Sequence, residues 1–263
     1  MELGLKGKVA LLAASSRGLG RAVAEELAAE GASLVLTARG EAALRATAEE
    51  IAARHGVPVL ALPADVGFRG EPERLVREGL ARFGRIDILL TNSGGPPAGP
   101  FESLTAEAWD QATALVLGSV VEFCRVALPG MKERRWGRIL NVGSIAAKQP
   151  VDNLMLSNSI RAAVIGFART LATEVAPFGV TVNTLLPGFT RTERMVELSD
   201  VTAKKEGITP EQALARYAAA VPMGRMGEPR EFAALAAFLA SERATYITGQ
   251  AMAVDGGWIR ALL

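Results

Sequence analysis

A serine and an arginine four residues apart, Ser157 and Arg161, form a pair of side chains that could do chemistry. They stand in the segment SNSIRAAVIGF, which has the pattern of a helix, so both side chains are expected on one helical face. A neutral hydroxyl beside a fixed guanidinium can polarise a carbonyl, or bind a carboxylate or a phosphate. The pair is a poor proton donor, because an aliphatic hydroxyl is a much weaker acid than a phenol and arginine keeps its protons above pKa ~12.

A glycine-containing turn near the start of the chain points to a phosphate-bearing ligand. The first apolar run leads into AASSRGLGRAVAEEL. Small residues where a strand meets a helix let the backbone approach a pyrophosphate at the helix N-terminus, and Gly18 and Gly20 provide that room. Ala14, in the same turn, costs little if its φ is negative and crowds the turn if its φ is positive.

Seven apolar, β-rich runs alternate with helical patterns along the whole chain. They cover residues 9–13, 33–37, 58–61, 86–91, 138–142, 180–186 and 251–254. Strands of continuous hydrophobicity that alternate with helices imply a parallel sheet covered on both faces. We therefore predict an α/β, doubly wound (Rossmann) fold with a seven-stranded parallel sheet, in a single domain over residues 1–263.

The alternation lapses between residues 190 and 227, where two short helical patterns follow Pro187 and Gly188. An insertion after the carboxyl end of a strand lies where open α/β sheets bind ligands. We predict that this segment, called the lid below, is a mobile cover over the substrate.

Charge and composition argue against several classes of partner. The 29 basic and 28 acidic residues give a formal net charge of +1, which favours neither nucleic acid nor an anionic membrane. One cysteine, Cys124, cannot form an internal disulfide, and one histidine, His55, leaves no histidine cluster, so no metal site is predicted. Uninterrupted apolar runs fall short of the ~18 residues of a membrane span, and the start lacks a signal-peptide pattern, so we expect a cytoplasmic protein.

Motifs over essentially the whole length resemble the short-chain dehydrogenase/reductase family, and within it the 3-oxoacyl-(acyl-carrier-protein) reductases. The segments that carry the resemblance are AASSRGLG, LVLTARGE, ADV, TNSGG, GRILNVGSIAA, TVNTLLPGFTRTE and AVDGGW. The family's first turn is T-G-x-x-x-G-x-G, which puts Ala13 at its threonine and Ala14 at its first glycine. The resemblance implies hydride transfer between a nicotinamide and a small-molecule carbonyl, alcohol or acyl thioester, by a homo-oligomer that is usually a tetramer.

The resemblance also implies which residues bind the nucleotide. They are Ala14, Ser16, Arg17, Gly18, Leu19 and Gly20 in the turn, Arg39 after the second strand, Asp65 and Val66 around the adenine, Asn92, Ser93 and Gly94, the ribose-binding Arg161, and Pro187, Gly188 and Thr190 against the nicotinamide. Thr192 falls at the last threonine of that motif, within one residue.

The cofactor choice depends on the turn after the second strand. A ribose 2′-hydroxyl calls for a carboxylate, whereas a 2′-phosphate calls for arginine. The segment LVLTARGE offers Arg39 and no acid before Glu41, and Arg17 lies in the glycine turn. Two guanidiniums favour NADP(H) over NAD(H); the other interpretation is that both are solvated surface arginines.

The same alignment implies an altered catalytic set. In the family a serine holds the carbonyl oxygen, a tyrosine gives the proton, a lysine lowers the tyrosine's pKa and an asparagine anchors a relay water. The serine falls on Ser144, the tyrosine thirteen positions later on Ser157, the lysine on Arg161 and the asparagine on Val116. Three of the four positions therefore hold a different residue.

Few other residues could supply the missing proton. Lys148 follows Ser144 by four positions and Tyr217 lies in the lid, although an exposed loop lysine and a packed lid tyrosine are the plainer interpretations; Tyr246 is the remaining tyrosine. Three hypotheses stay open. They are an NADP(H)-dependent oxidoreductase with altered proton delivery, a catalytically silent cofactor-binding sensor or structural protein, and a non-redox enzyme that binds an anion through Arg161 and Ser144.

Overall fold

The sheet of the molecule has seven parallel strands. The structure, a computed structural model, describes residues 2–262, without the side chains of residues 201 and 205. The strands are β1 (Val9–Leu12), β2 (Ser33–Ala38), β3 (Val59–Pro63), β4 (Ile88–Thr91), β5 (Gly137–Val142), β6 (Val180–Pro187) and β7 (Ala251–Val254). They lie in the order β3-β2-β1-β4-β5-β6-β7, and each of the seven runs expected from the sequence overlaps one strand. The predicted doubly wound fold is confirmed.

Helices cover the two faces of this sheet. They are α1 (Gly18–Ala29), α2 (Glu41–His55), α3 (Glu71–Phe83), α4 (Ala106–Thr113), α5 (Ser119–Glu133), α6 (Met155–Val175), α7 (Glu193–Glu206), α8 (Pro210–Ala219) and α9 (Pro229–Ala240). Because side chains alternate along a strand, Leu89 and Ile139 join the buried cluster under α3–α6, whereas Leu90 and Leu140 join the cluster under α1, α2 and α9. Burial on both faces explains why the strands are continuous in hydrophobicity.

The strand order reverses between β1 and β4, which places a crevice at their carboxyl ends. β1 pairs in parallel with β2 on one side and with β4 on the other. Open α/β sheets bind ligands at such a reversal. The glycine turn follows β1 and the segment Asn92–Gly94 follows β4, so both lie at this crevice.

A π-helical segment, Ala114–Gly118, joins α4 to α5 without a break. The resulting helix, Ala106–Glu133, is 28 residues long. Its apolar window, an 18-residue stretch within the helix, has a mean hydropathy of 1.5, and 39% of that stretch is buried. It is the one helix of the described residues that has the length and composition to cross a membrane. The interrupted apolar runs of the sequence did not indicate so long an apolar helix; Thr113 and Ser119 interrupt the apolar pattern without ending the helix.

The lid consists mainly of α7 and α8. Thr192 and Thr209 begin these helices, and each side chain accepts a hydrogen bond from a backbone N–H of the first turn. The lid returns to the sheet near Gly227, whose N–H donates to the carbonyl of Phe189 at 2.9 Å. Its two ends are therefore held together at the carboxyl end of β6.

Candidate nucleotide and catalytic site

The turn after β1 has the shape that a dinucleotide needs, with one strained residue. Ala14 has φ +50°, the left-handed region, which costs an L-residue about 1–2 kcal/mol. A Cβ on Gly20 would lie 2.3 Å from the carbonyl oxygen of Ala14, so no other residue fits there. Of the two outcomes considered from the sequence for Ala14, the structure has the one that strains the turn.

The N-terminus of α1 leaves backbone donors free for a phosphate. The helix begins at Gly18, its N-cap Arg17 makes no side-chain capping bond, and no acid lies in the first turn. Unpaired N–H groups and the positive end of the helix dipole together attract anions. The residues present therefore fit the pyrophosphate of a nicotinamide dinucleotide.

The two arginines expected at the 2′-phosphate lie at the surface, each near a carboxylate. Arg17 Nη1 is 2.8 Å from Glu197 Oε1 in the lid, and Arg39 Nη1 is 4.0 Å from Asp65 Oδ2. The Arg17 side chain is 59% exposed and that of Arg39 80% exposed, so both guanidiniums can reorient toward a ligand. Asp65 also accepts a hydrogen bond from the Gly67 N–H at 3.0 Å, which fixes its carboxylate beside β2.

The start of the lid covers the glycine turn. A Cβ on Gly18 would lie 3.6 Å from Oε2 of Glu193 and 3.6 Å from Cγ2 of Thr192. A carboxylate of the lid thus lies close to the turn at which the sequence predicts a pyrophosphate. A pyrophosphate at this turn would approach the Glu193 carboxylate, which rotation of the side chain or a shift of α7 would move away.

Arg161 is buried among backbone carbonyl groups. Its Nη1 donates to the carbonyls of Val142 and Gly143, both at 2.8 Å, and its Nη2 donates to Gly94 at 2.7 Å. Burial and the nearby Arg194 guanidinium lower the pKa of Arg161 to about 10, which leaves it charged at neutral pH. The side chain cross-links the end of β5 to the loop after β4, a role that the sequence analysis did not foresee.

The two serines have different surroundings. Ser144 precedes the short 3-10 turn Ile145–Ala147, and its Oγ accepts a hydrogen bond from the Ala146 N–H at 3.1 Å. Ser157 is buried one helical turn before Arg161, and its hydroxyl has no partner among the described side chains and backbone. Lys148 is exposed at the end of the 3-10 turn, as the plainer interpretation of that lysine requires.

Val116 lies inside the π-helical segment and is 3% exposed. It belongs to the same buried cluster as Leu156 and Ile160 of α6. Single-turn π segments are frequent at functional sites because they redirect one side chain. Here that side chain is apolar and cannot anchor a water.

The two tyrosines have different surroundings. The Tyr217 ring packs on Phe189 with centroids 5.1 Å apart, and Phe189 meets Trp258 edge-on at 5.8 Å. Tyr246 is fully exposed. The sequence analysis missed Phe189 and Trp258, although Phe189 directly follows the Pro187-Gly188 pair that it singled out.

The segment after β6 is held against the last strand. A Cβ on Gly188 would lie 2.7 Å from Cα of Asp255, so only glycine allows this approach. Thr190 is buried and its Oγ1 donates to the Gly188 carbonyl at 3.3 Å. Gly94 has φ +74°, a conformation that favours glycine, so the segments after β6 and after β4 both depend on a glycine.

Another residue that the sequence analysis missed is Arg194, in the first turn of α7. Its Nη2 lies 3.3 Å from the position of a Cβ on Gly95, directly beside the loop that Arg161 binds. The motif TRTE drew attention to its threonines, and nothing local in the sequence indicated that this arginine reaches β4's loop. Within residues 2–262, no three His, Cys, Asp or Glu side chains are grouped as a metal ion would require.

The family follows from a match over most of the chain. A family model described as Enoyl-(Acyl carrier protein) reductase, a short-chain dehydrogenase group, matches residues 13–259. The chain belongs to the short-chain dehydrogenase/reductase family. The resemblance expected from the motifs is thereby confirmed at the level of the family.

Individual relatives match at similar identity over the full length. D-beta-hydroxybutyrate dehydrogenase of Cupriavidus necator is 36% identical over 256 residues, which cover 97% of this chain and 99% of that protein. The 3-oxoacyl-(acyl-carrier-protein) reductase of Vibrio cholerae is 36% identical over 255 residues, covering 97% and 98%. Among solved structures, L-sorbose reductase from Gluconobacter frateurii, complexed with NADPH and L-sorbose, superposes with a TM-score of 0.96 at 35% identity over 100% of both chains.

Proposed function

We propose that this protein is an NADP(H)-dependent oxidoreductase that reduces a small-molecule carbonyl compound, with a proton-delivery system that lacks the family's tyrosine. One observation carries the proposal. The carboxyl ends of β1, β4, β5 and β6 bring the glycine turn, Asn92–Gly94, Ser144 and Pro187–Thr190 to one crevice. That is the set of segments from which the family builds its cofactor and substrate sites.

The charges at the adenosine end favour NADP(H). The turn after β2 offers Arg39 and no carboxylate, and Arg17 stands at the start of α1. The nearest acid, Asp65, is tied to the Gly67 N–H and faces Arg39. A 2′-phosphate would gain two guanidiniums here, whereas a 2′-hydroxyl would find no free carboxylate.

When bound, the cofactor supplies the hydride. Ser144 can hold the carbonyl oxygen through its hydroxyl. Arg161 adds a fixed positive charge at the end of β5, which stabilises negative charge on that oxygen as hydride arrives. With Ser157 in the predicted tyrosine position, the proton comes from solvent, so we expect a slower reaction than a phenol would give.

One observation favours a second function, that of a catalytically silent cofactor-binding protein. The predicted position of the proton-donating tyrosine holds Ser157; of the two tyrosines, Tyr217 is stacked on Phe189 and Tyr246 is fully exposed. A protein with this crevice and no acid would bind NADP(H) and turn over little or nothing.

A direct assay separates the two. Purified protein is mixed with NADPH and a panel of 3-oxoacyl thioesters and simple ketones, and cofactor oxidation is followed against a Ser144→Ala variant. Oxidation above that control supports the oxidoreductase, whereas calorimetric binding of NADPH with no oxidation supports the silent protein. NAD⁺ binding tighter than NADP⁺ would contradict the roles of Arg17 and Arg39.

We also propose that the protein is a cytoplasmic homo-oligomer, usually a tetramer in this family. The helix Ala106–Glu133 is apolar, yet only 39% of its apolar window is buried within one chain. A second copy packed on this helix would cover the rest. Light scattering after size exclusion tests this, and a monomer at micromolar concentration would contradict it.

A further inference from the structure

Two arginines from different helices flank the segment Gly94-Gly95. Arg161, from α6, donates to the Gly94 carbonyl at 2.7 Å. Arg194, from α7, places Nη2 3.3 Å from the position of a Cβ on Gly95. Any side chain at residue 95 would crowd that guanidinium, so the glycine leaves the room that Arg194 occupies.

Neither of these arginines has a carboxylate partner among the described residues. Arg161 is 7% exposed and bonded only to carbonyl oxygens, which use three of the five N–H groups of a guanidinium and leave two. The other arginines of the lid each pair with a glutamate. These pairs are Arg191 with Glu228, Arg216 with Glu206, and Arg225 with Glu231.

Two uncompensated cations this close repel each other. The repulsion by Arg194 adds to burial in lowering the pKa of Arg161 to about 10. Arg161 is buried, where charges interact more strongly than in water, whereas the Arg194 side chain is exposed. An anion placed between the two guanidiniums would remove the repulsion and gain charge-assisted hydrogen bonds.

The location points to the substrate rather than to the cofactor phosphates. The pyrophosphate site predicted at Gly18 and Gly20 lies at the end of β1, whereas Gly95 follows the segment Asn92–Gly94 at the end of β4. Arg194 itself belongs to the lid, the element expected to close over substrate.

We propose that Arg194, with the charge of Arg161 behind it, binds the carboxylate of the substrate, which is therefore a small oxo acid. This inference rests on the proposed oxidoreductase function. In the reaction, hydride from NADPH forms the new C–H bond, the carbonyl π bond breaks, and its oxygen takes a proton from water. The products are a hydroxy acid and NADP⁺.

The test compares acids with their neutral esters in two variants. The substrates are acetoacetate and 4-oxopentanoate with their methyl esters, at saturating NADPH. Arg194→Gln removes the proposed contact. Arg191→Gln is the matched control, since it removes the same charge from a neighbouring, exposed arginine that is already paired with Glu228 at 3.4 Å.

We expect the unaltered protein to prefer an acid over its ester, and Arg194→Gln to lower kcat/KM for that acid by about 10- to 100-fold, mainly through KM. The kcat/KM of Arg194→Gln for the ester, and the kcat/KM of Arg191→Gln for either substrate, should change by less than about twofold. An equal loss for acid and ester would overturn the proposal. Weaker NADPH binding by Arg194→Gln, with the preference for acid intact, would show that Arg194 serves the cofactor instead.

A failure of the proposed function is distinguishable from a failure of this inference. If none of these substrates is reduced by any of the three proteins and the panel of 3-oxoacyl thioesters and simple ketones also fails, reduction of a carbonyl is refuted. Calorimetry on NADP⁺-loaded protein then tests the carboxylate site directly. Binding of 4-oxopentanoate that Arg194→Gln abolishes and Arg191→Gln retains supports the site. If none of the three proteins binds 4-oxopentanoate, or if the unaltered protein and both variants bind it equally well, the inference is overturned.

Discussion

Replacing Glu197 by glutamine tests whether the lid competes with the cofactor for Arg17. In the structure the Glu197 carboxylate is 2.8 Å from Arg17 Nη1, so a 2′-phosphate must displace it. Both side chains are more than half exposed, at 57% and 59%, and exposed ion pairs contribute about 0.2–1 kcal/mol. Removing the competitor should therefore tighten NADPH binding by about 1.5- to 5-fold.

The measurement is calorimetric titration of NADPH and NADH at low salt. Glu197→Gln should raise the affinity for NADPH and leave the affinity for NADH unchanged, because only NADPH carries the 2′-phosphate. Raising the salt concentration should shrink the effect, since exposed charges are screened. Glu211→Gln is the matched control, because it removes an acid from the lid that has no arginine partner among the described side chains.

A double-mutant cycle makes the result decisive. If Arg17 carries the effect, Glu197→Gln made in an Arg17→Gln background should change NADPH affinity by less than the error of the titration. Equal tightening of NADPH and NADH would show that Glu197 obstructs the dinucleotide in general. Weaker NADPH binding would mean that the lid acid supports the cofactor, which would refute the competition.

Three further predictions concern the turn, the buried arginine and the cysteine. Ala14→Gly should raise the free energy of unfolding by about 0.5–1 kcal/mol and Tm by about 1–4 °C, because relief of the left-handed strain exceeds the added flexibility of the unfolded chain. Ala13→Gly is the control: Ala13 is fully buried and has no positive φ, so this substitution should lower the free energy of unfolding. Arg161→Met should lower the free energy of unfolding in urea by about 2–4 kcal/mol, because three backbone carbonyls lose a charged donor. An unchanged urea midpoint would contradict these contacts. Burial raises the pKa of Cys124 to about 12, so a thiol reagent at pH 8 should label it only after unfolding, and rapid labelling of the native protein would refute its burial.

The strands could be predicted from the sequence because their signal is local. Each of the seven runs is apolar, and the strands at the centre of the sheet are buried almost throughout, whereas the edge strands β3 and β7 are mostly half-buried. The conformation of Ala14 could not be predicted in this way, since the sequence of the turn is compatible with either sign of φ at this residue. It is fixed by the turn as a whole, in which Gly20 packs on the Ala14 carbonyl.

The surroundings of Arg161 could not be predicted because they come from two other strands. Helical spacing correctly placed Ser157 and Arg161 one turn apart on α6, but it says nothing about what faces them. The Val142 and Gly143 carbonyls end β5, and the Gly94 carbonyl follows β4. Likewise, Arg194 reaches Gly95 only because the lid folds back over the crevice, a contact across about a hundred residues of sequence.

The first turns of α7 present opposite charges to the two halves of the crevice. Glu193 and Glu197 are four residues apart and therefore share a face, which lies on Gly18 and Arg17; Arg194 points from a neighbouring face to Gly95. Cofactor phosphates would repel the two acids, while a carboxylate substrate would attract the arginine. If both proposals hold and the glycine turn is freed by a movement of α7, the same movement repositions Arg194, so the two ligands then do not bind independently.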